Sequence, residues 1–163
     1  MKIGLVSDTH NDQRNIKRAL TRFRQEDVTT VLHAGDVTRA SILRLFDGFD
    51  LYIARGNMDR DPGLRPVAES MFGLERFKGL HQMTFDGAHI ALTHGDSYHE
   101  YQQLVGSQVY DYLIRGHTHK RRDEMIEGTR VINPGALKNP RWQSASCAIL
   151  NIATGDLTWV KLP

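Results

Sequence analysis

Three short apolar runs set the frame for this chain. They are "KIGLVS" (2–7), "TTVLHAG" (29–35) and "DLYIARG" (50–56), each closed by glycine or polar residues, and each reads as a buried strand. Between the first two, Ile16, Ala19, Leu20 and Phe23 fall at helical spacing, with Asn11 or Asp12 placed to cap that helix. Between the second and third, Ile42, Leu45 and Phe46 mark a second amphipathic helix. A β-α-β-α-β order leaves few solutions. It predicts a parallel sheet with right-handed crossovers.

The pattern changes after residue 80. "LHQMTF" and "AHIALTH" are joined by Asp86-Gly87, a hairpin signal, and a short helix around Tyr101, Leu104 and Val105 leads to "YDYLIRG". "RRDEMI" and "TRVIN" flank Glu127-Gly128, and "CAILNI" and "LTWVKL" flank Thr154-Gly155. The chain is α/β first and strand-rich later, which two packed sheets with helices outside would satisfy. With 163 residues it is long enough to bury a core as one domain spanning 1–163.

Composition narrows the function classes. Hydrophobic residues at 40 % and charged residues at 25 % are ordinary for a soluble globular protein. A formal net charge of +2 argues against a duplex nucleic-acid binder, "HKRR" at 119–122 being a local exception. The single cysteine, Cys147, excludes an internal disulfide and a cysteine zinc site, and suits a reducing compartment. No signal peptide precedes the first strand and no run is long enough to span a membrane, so the expected location is cytoplasmic.

The chemistry-bearing residues fall at one edge. Asp8 and His10 follow the first strand, Asp36 the second and Asn57 the third. His94 closes the hairpin strand, and His117 and His119 of "GHTH" close the strand after it. In open α/β sheets, ligands bind just beyond the carboxyl ends of the strands. Two Asp, four His and one Asn form an oxygen and imidazole donor set without thiolate, which suits Mn, Fe, Co, Ni or Zn better than Mg or Ca. Seven donors are too many for one tetrahedral ion and suit two. A shared carboxylate would hold two cations roughly 3.5–4 Å apart, the spacing used for in-line displacement at phosphorus.

The ordered series "SDTH" (7–10), "AGD" (34–36), "GN" (56–57), "LTHG" (92–95) and "GHTH" (116–119) resembles the calcineurin-like metallophosphoesterases. Together with the short chain, "INPGA" (132–136) resembles their compact YfcE-like phosphodiesterase branch. The resemblance implies a four-layer αββα sandwich, two mixed β-sheets flanked by helices. It implies that Asp8, His10 and His119 hold one divalent metal, that Asn57, His94 and His117 hold a second, and that Asp36 bridges them. Manganese is favoured, with Ni, Co, Fe or Zn as alternatives. The implied activity is hydrolysis of phosphate esters, phosphodiesters first, by a metal-bridging hydroxide. Small phosphate esters or nucleotide-type molecules are the implied substrates; the sequence leaves the oligomeric state open, a homo-oligomer included.

Two positions depart from the larger relatives. Their GNH[ED] pattern reads "GNMD" here, and Met58 cannot protonate a leaving group, a role worth roughly 10²–10⁴-fold. Asp59 and His99 are the candidate substitutes. Where relatives often have HGH, this chain has "HGD", and Asp96 reads either as a residue that orients a ligand histidine or, in slight preference, as a cap for the helix beginning near Ser97. Among the remaining residues, His33 reads as a satisfied core histidine and His81 and His89 as surface or packing residues. Arg141 and Trp142 are candidates to hold a phosphate and stack on a base. Two rival functions stay open: a phosphomonoesterase or nucleotide phosphatase on the same site, and a catalytically weak metal-binding scaffold resembling the phosphoesterase-like subunit of retromer.

Overall fold

A computed structural model describes residues 1–138 and 143–162. Two mixed sheets face one another. The first has the order β11-β10-β1-β2-β3-β4, where β1 is Lys2–Val6, β2 Thr30–His33, β3 Asp50–Ala54, β4 Phe77–Lys78, β10 Ala145–Asn151 and β11 Leu157–Leu162. Its strands β1 to β4 run parallel, and β10 and β11 are antiparallel additions. The second sheet has the order β5-β6-β7-β9-β8, where β5 is Leu80–Phe85, β6 Ala88–Thr93, β7 Tyr112–Ile114, β8 Arg122–Ile126 and β9 Thr129–Asn133.

The layers follow from which residues are apolar on which face. Ile3, Leu5, Leu32 and Ala148 of the first sheet pack against Ile90, Leu92, Ile114 and Ile132 of the second. The opposite face of the first sheet is covered by α1 (Gln13–Gln25), a 3₁₀ helix (Ala40–Phe46) and α2 (Leu64–Phe72). The outer face of the second carries α3 (Tyr98–Gly106), whose Leu104 and Val105 meet Ala91, Leu113 and Val131. This is the expected αββα sandwich. No helix among the described residues is long and apolar enough to cross a membrane.

Local chemistry explains most elements. Asp12 caps α1 by accepting from the Asn15 N–H at 3.0 Å, and Ile16, Ala19, Leu20 and Phe23 are all buried, as their spacing predicts. Two expectations need correction. The second helix is 3₁₀, and it buries Leu43 with Ile42 and Phe46 while Leu45 is only partly covered. Seven residues give two turns, over which the Leu43-to-Phe46 spacing fits a three-residue period as well as 3.6. The cap of α3 is Ser97, which accepts from the Glu100 N–H at 3.2 Å, and Asp96 lies exposed before it.

Register sets the position of the site. Val6, His33 and Ile53 stand side by side at the ends of β1, β2 and β3. Leu92, Ile114 and Ile132 do the same in β6, β7 and β9. The loops carrying the predicted polar residues therefore leave both sheets at one common edge.

Candidate metal centre

Five of the seven predicted donors, Asp8, His10, Asp36, His117 and His119, have left-handed backbone with φ between 39° and 65°. Such residues cost about 1–3 kcal/mol each unless the surroundings impose the conformation. The imposing contacts are identifiable. Asp8 N–H bonds Gly35 O and His10 N–H bonds Asp36 O, both at 2.9 Å, so the loops after β1 and β2 hold each other. Glycines let them approach. A Cβ on Gly116 would lie 1.8 Å from Ser7 Oγ, and one on Gly56 would lie 2.2 Å from Asp36 Oδ1.

Each carboxylate keeps one oxygen for the protein and presents the other. Asp8 Oδ2 accepts from the Ser7 hydroxyl at 2.5 Å and from the His117 N–H at 3.1 Å. Its Oδ1 is buried and faces the histidines, 3.1 Å from His119 Nε2 and 3.9 Å from His10 Nε2. Asp36 Oδ1 accepts from the Met58 N–H at 2.9 Å. Its Oδ2 lies 3.6 Å from His10 Nε2 and 3.5 Å from His94 Nε2.

The histidines are oriented in the same sense. His94 Nδ1–H donates to Ala34 O at 2.7 Å, which leaves a lone pair on Nε2 in the neutral ring. That lone pair faces Asp36 Oδ2 and, at 3.0 Å, Asn57 Oδ1. Three acceptors turned on one another repel unless a cation lies among them. His10 Nε2 is buried with no hydrogen-bond partner among the described residues. The ring of His117 stands edge-on to His94 at 5.1 Å and that of His119 lies 5.4 Å from His10, so "GHTH" sends one imidazole to each side. All seven predicted donors thus meet in one cluster, and two groups within it, Asp8–His10–His119 and Asp8–Asp36–His94, have donor atoms close enough for a shared ion.

Electrostatics before any cation binds agrees with this donor set. Burial opposes charge on Asp8, but the His119 and Ser7 hydrogen bonds outweigh it and hold the carboxyl below its usual range. Burial lowers His10 against the pull of Asp36 and Asp8, keeping the ring neutral. Ionised carboxylates and neutral imidazoles are the forms that bind metals.

Several supporting residues were not legible as such. Asp59, a candidate acid by sequence, is buried and accepts from the backbone N–H groups of Asp36 (3.0 Å), Gly56 (2.8 Å) and Thr38 (2.8 Å). It clamps the Asp36 loop to the Asn57 loop. Asn133 does the same for "GHTH", donating to Gly116 O at 2.8 Å and accepting from Gly135 N–H at 2.9 Å. His99 is exposed in the first turn of α3. Arg141 and Trp142 lie outside the described residues. His81 is buried, its Nε2 2.8 Å from Ile53 O, and links the sheets; His89 stays exposed beside Thr84.

Replacing Asp59 tests the clamp. Asp59→Ala strands the buried N–H donors of Asp36 and Gly56 and the partly buried one of Thr38, and is expected to weaken divalent-metal affinity about 10–100-fold, as loss of a group that orients ligands does. Calorimetric titration of metal into the folded variant measures it, and unchanged affinity contradicts the clamp.

His33 is the satisfied core histidine expected. Its Nδ1 accepts from Gly35 N–H and its Nε2 donates to Thr9 Oγ1, both at 3.1 Å, tying together the first two loops. Burial pushes this imidazole down to about 3 from 6.5. The unfolded chain binds the extra proton between those values. The His33 contribution to stability is therefore complete above about pH 6.5 and is lost as pH falls toward 3. The slope approaches ~1.4 kcal/mol per pH unit. Urea unfolding of metal-free protein at several acidic pH values should show it, with His33→Gln flattening the dependence. An equal slope in both proteins would remove His33 as its source.

Comparisons with known proteins agree with the geometry. Residues 1–155 match the family model described as the calcineurin-like phosphoesterase superfamily domain. A phosphodiesterase of Methanocaldococcus jannaschii is 32 % identical over 138 residues, covering 83 % of this chain and 83 % of the relative. A solved structure described as a novel archaeal phosphodiesterase covers 99 % of this chain and 100 % of its own, with a TM-score of 0.90 at 28 % identity. The phosphoesterase YfcE of E. coli shares the fold over the whole of both chains, with a TM-score of 0.71 at 21 % identity.

Proposed function

The chain belongs to the calcineurin-like phosphoesterase superfamily, and from that premise we propose that it is a phosphodiesterase working through two divalent metals. The single observation that carries this is the convergence of side-chain ligand atoms on one point: Asp8 Oδ1 lies 3.1 Å from His119 Nε2, Asp36 Oδ2 lies 3.6 Å from His10 Nε2 and 3.5 Å from His94 Nε2, and Asn57 Oδ1 lies 3.0 Å from His94 Nε2. Asp8, His10 and His119 would hold one ion, Asn57, His94 and His117 the other, and Asp36 would serve both. The imidazole-rich donors favour manganese or another transition metal. When bound, such a pair supplies Lewis acidity toward phosphoryl oxygens and a source of hydroxide at neutral pH.

The protein's own part is orientation and charge. Ser7, His117 N–H and Met58 N–H fix the two carboxylates, and Ala34 O fixes the His94 tautomer. Ser7 Oγ is committed to Asp8, so no serine is free there to act as nucleophile. Met58 has no proton to give and Asp59 is held by three N–H groups. Substrates with good leaving groups, which depart unprotonated, should therefore turn over fastest.

The test is hydrolysis of paired aryl phosphodiesters and phosphomonoesters by stripped protein, with Mn, Ni, Co, Zn and Mg added back in turn. Metal-restored diester turnover exceeding monoester turnover is the expected result. Monoester preference would make it a phosphatase. No turnover with any metal would make it a binding scaffold.

A further inference from the structure

Beside the metal cluster an open groove of about 500 Å³ is lined by Thr38, Arg39, Met58, Arg60, Asp61 and Pro62. It begins at the site: Thr38 lies two residues after Asp36, and Met58 follows Asn57. A second hollow sharing Arg60, Asp61 and Pro62 continues it past Arg55 and Arg65. Four arginines thus rim one face next to the predicted donors. The facing acids are Asp59, Asp61 and Glu69, and all are engaged. Asp59 holds three backbone N–H groups; Asp61 accepts from Ala40 and Gly63, each at 2.9 Å; Glu69 lies 3.7 Å from Arg65. The N–H groups of Ala40 and Gly63, and then Arg39, hold Asp61 below the usual carboxylate range. The Arg55 and Arg60 guanidiniums have no hydrogen-bond or ion-pair partner among the described residues.

Guanidinium forks match phosphate oxygens in pairs, and exposed Met58 offers a soft apolar surface between the groove and the metal cluster. Resting on the phosphodiesterase reading above, we propose that this groove is a specificity subsite for a second phosphate. The preferred substrate is then a nucleotide-type phosphodiester in which one substituent carries its own terminal phosphate. The scissile phosphate sits at the metal cluster and the terminal phosphate lies between Arg39 and Arg60.

Thymidine dinucleotide with and without a terminal phosphate, at the 5′ or the 3′ end, tests this in the metal-loaded enzyme. At least one phosphorylated form should have a KM about 10-fold below that of the unphosphorylated diester, the scale of a charge-assisted contact. In Arg60→Ala and Arg39→Ala that ratio should fall toward 1. In Arg14→Ala, an equal charge change on the exposed side of α1, it should persist. Equal KM values in the unaltered enzyme, or a ratio that survives both groove variants, would overturn the proposal. Should neither dinucleotide be hydrolysed, the activity reading fails by itself, and calorimetric binding to metal-free protein decides the subsite. Tighter binding of the phosphorylated dinucleotide, lost in Arg60→Ala, supports it; equal binding of both dinucleotides overturns it.

Discussion

Asp36→Asn is expected to lose nearly all phosphodiesterase activity, at least about 10³-fold in kcat/KM, while the fold persists. Asp36 is the residue whose free oxygen faces histidines from both halves of the cluster, His10 at 3.6 Å and His94 at 3.5 Å. An amide in its place removes the negative charge that a shared ligand supplies. It can still accept from the Met58 N–H through one oxygen, and the Asp36 backbone remains held by Asp59. The circular dichroism spectrum should therefore match that of the unaltered protein while turnover disappears. Retained turnover would contradict the role of Asp36 as a shared ligand.

The second large effect is on packing. Gly116→Ala places a methyl 1.8 Å from Ser7 Oγ, 2.8 Å from Asp8 Oδ2 and 2.9 Å from Ala34 O. No real contact is that short, and the atoms it strikes are those that orient Asp8. The loop after β7 must move off the loop after β1, breaking the His117 N–H bond to Asp8. Overpacking combined with a broken buried network should cost about 3 kcal/mol or more, with metal affinity falling as well. Urea denaturation measures the loss. Ser7→Ala removes one of the struck atoms, so the Ser7→Ala/Gly116→Ala pair should recover part of it. Additive losses would mean that the clash lies elsewhere.

How far these features could be read without coordinates depended on whether their cause was local. The strands carried their own signal: short apolar runs, with Asp86-Gly87 and Glu127-Gly128 at left-handed φ in the hairpins. The edge at which Asp8, Asp36, Asn57, His94, His117 and His119 collect followed from strand order alone. The helix Leu64–Phe72 was not legible, because only Leu64 and Ala68 are buried and Pro66 interrupts the run. Pro66 is tolerated since N–H groups in a first turn have no partner within the helix. The role of Asp59 was also hidden, because its partners are backbone groups brought together from two separate loops. The burial of His81 depends on Ile53 in the other sheet, a contact no periodicity encodes.

The most direct measurement is the manganese content of the stripped and refilled protein, counted per chain with diester turnover read on the same samples. Two ions per chain, turnover that requires both, and loss of a single but different ion in His117→Ala and in His119→Ala are the predicted results. One ion per chain with full turnover, or the same ion lost in both variants, would contradict a two-metal centre divided by the two histidines of "GHTH".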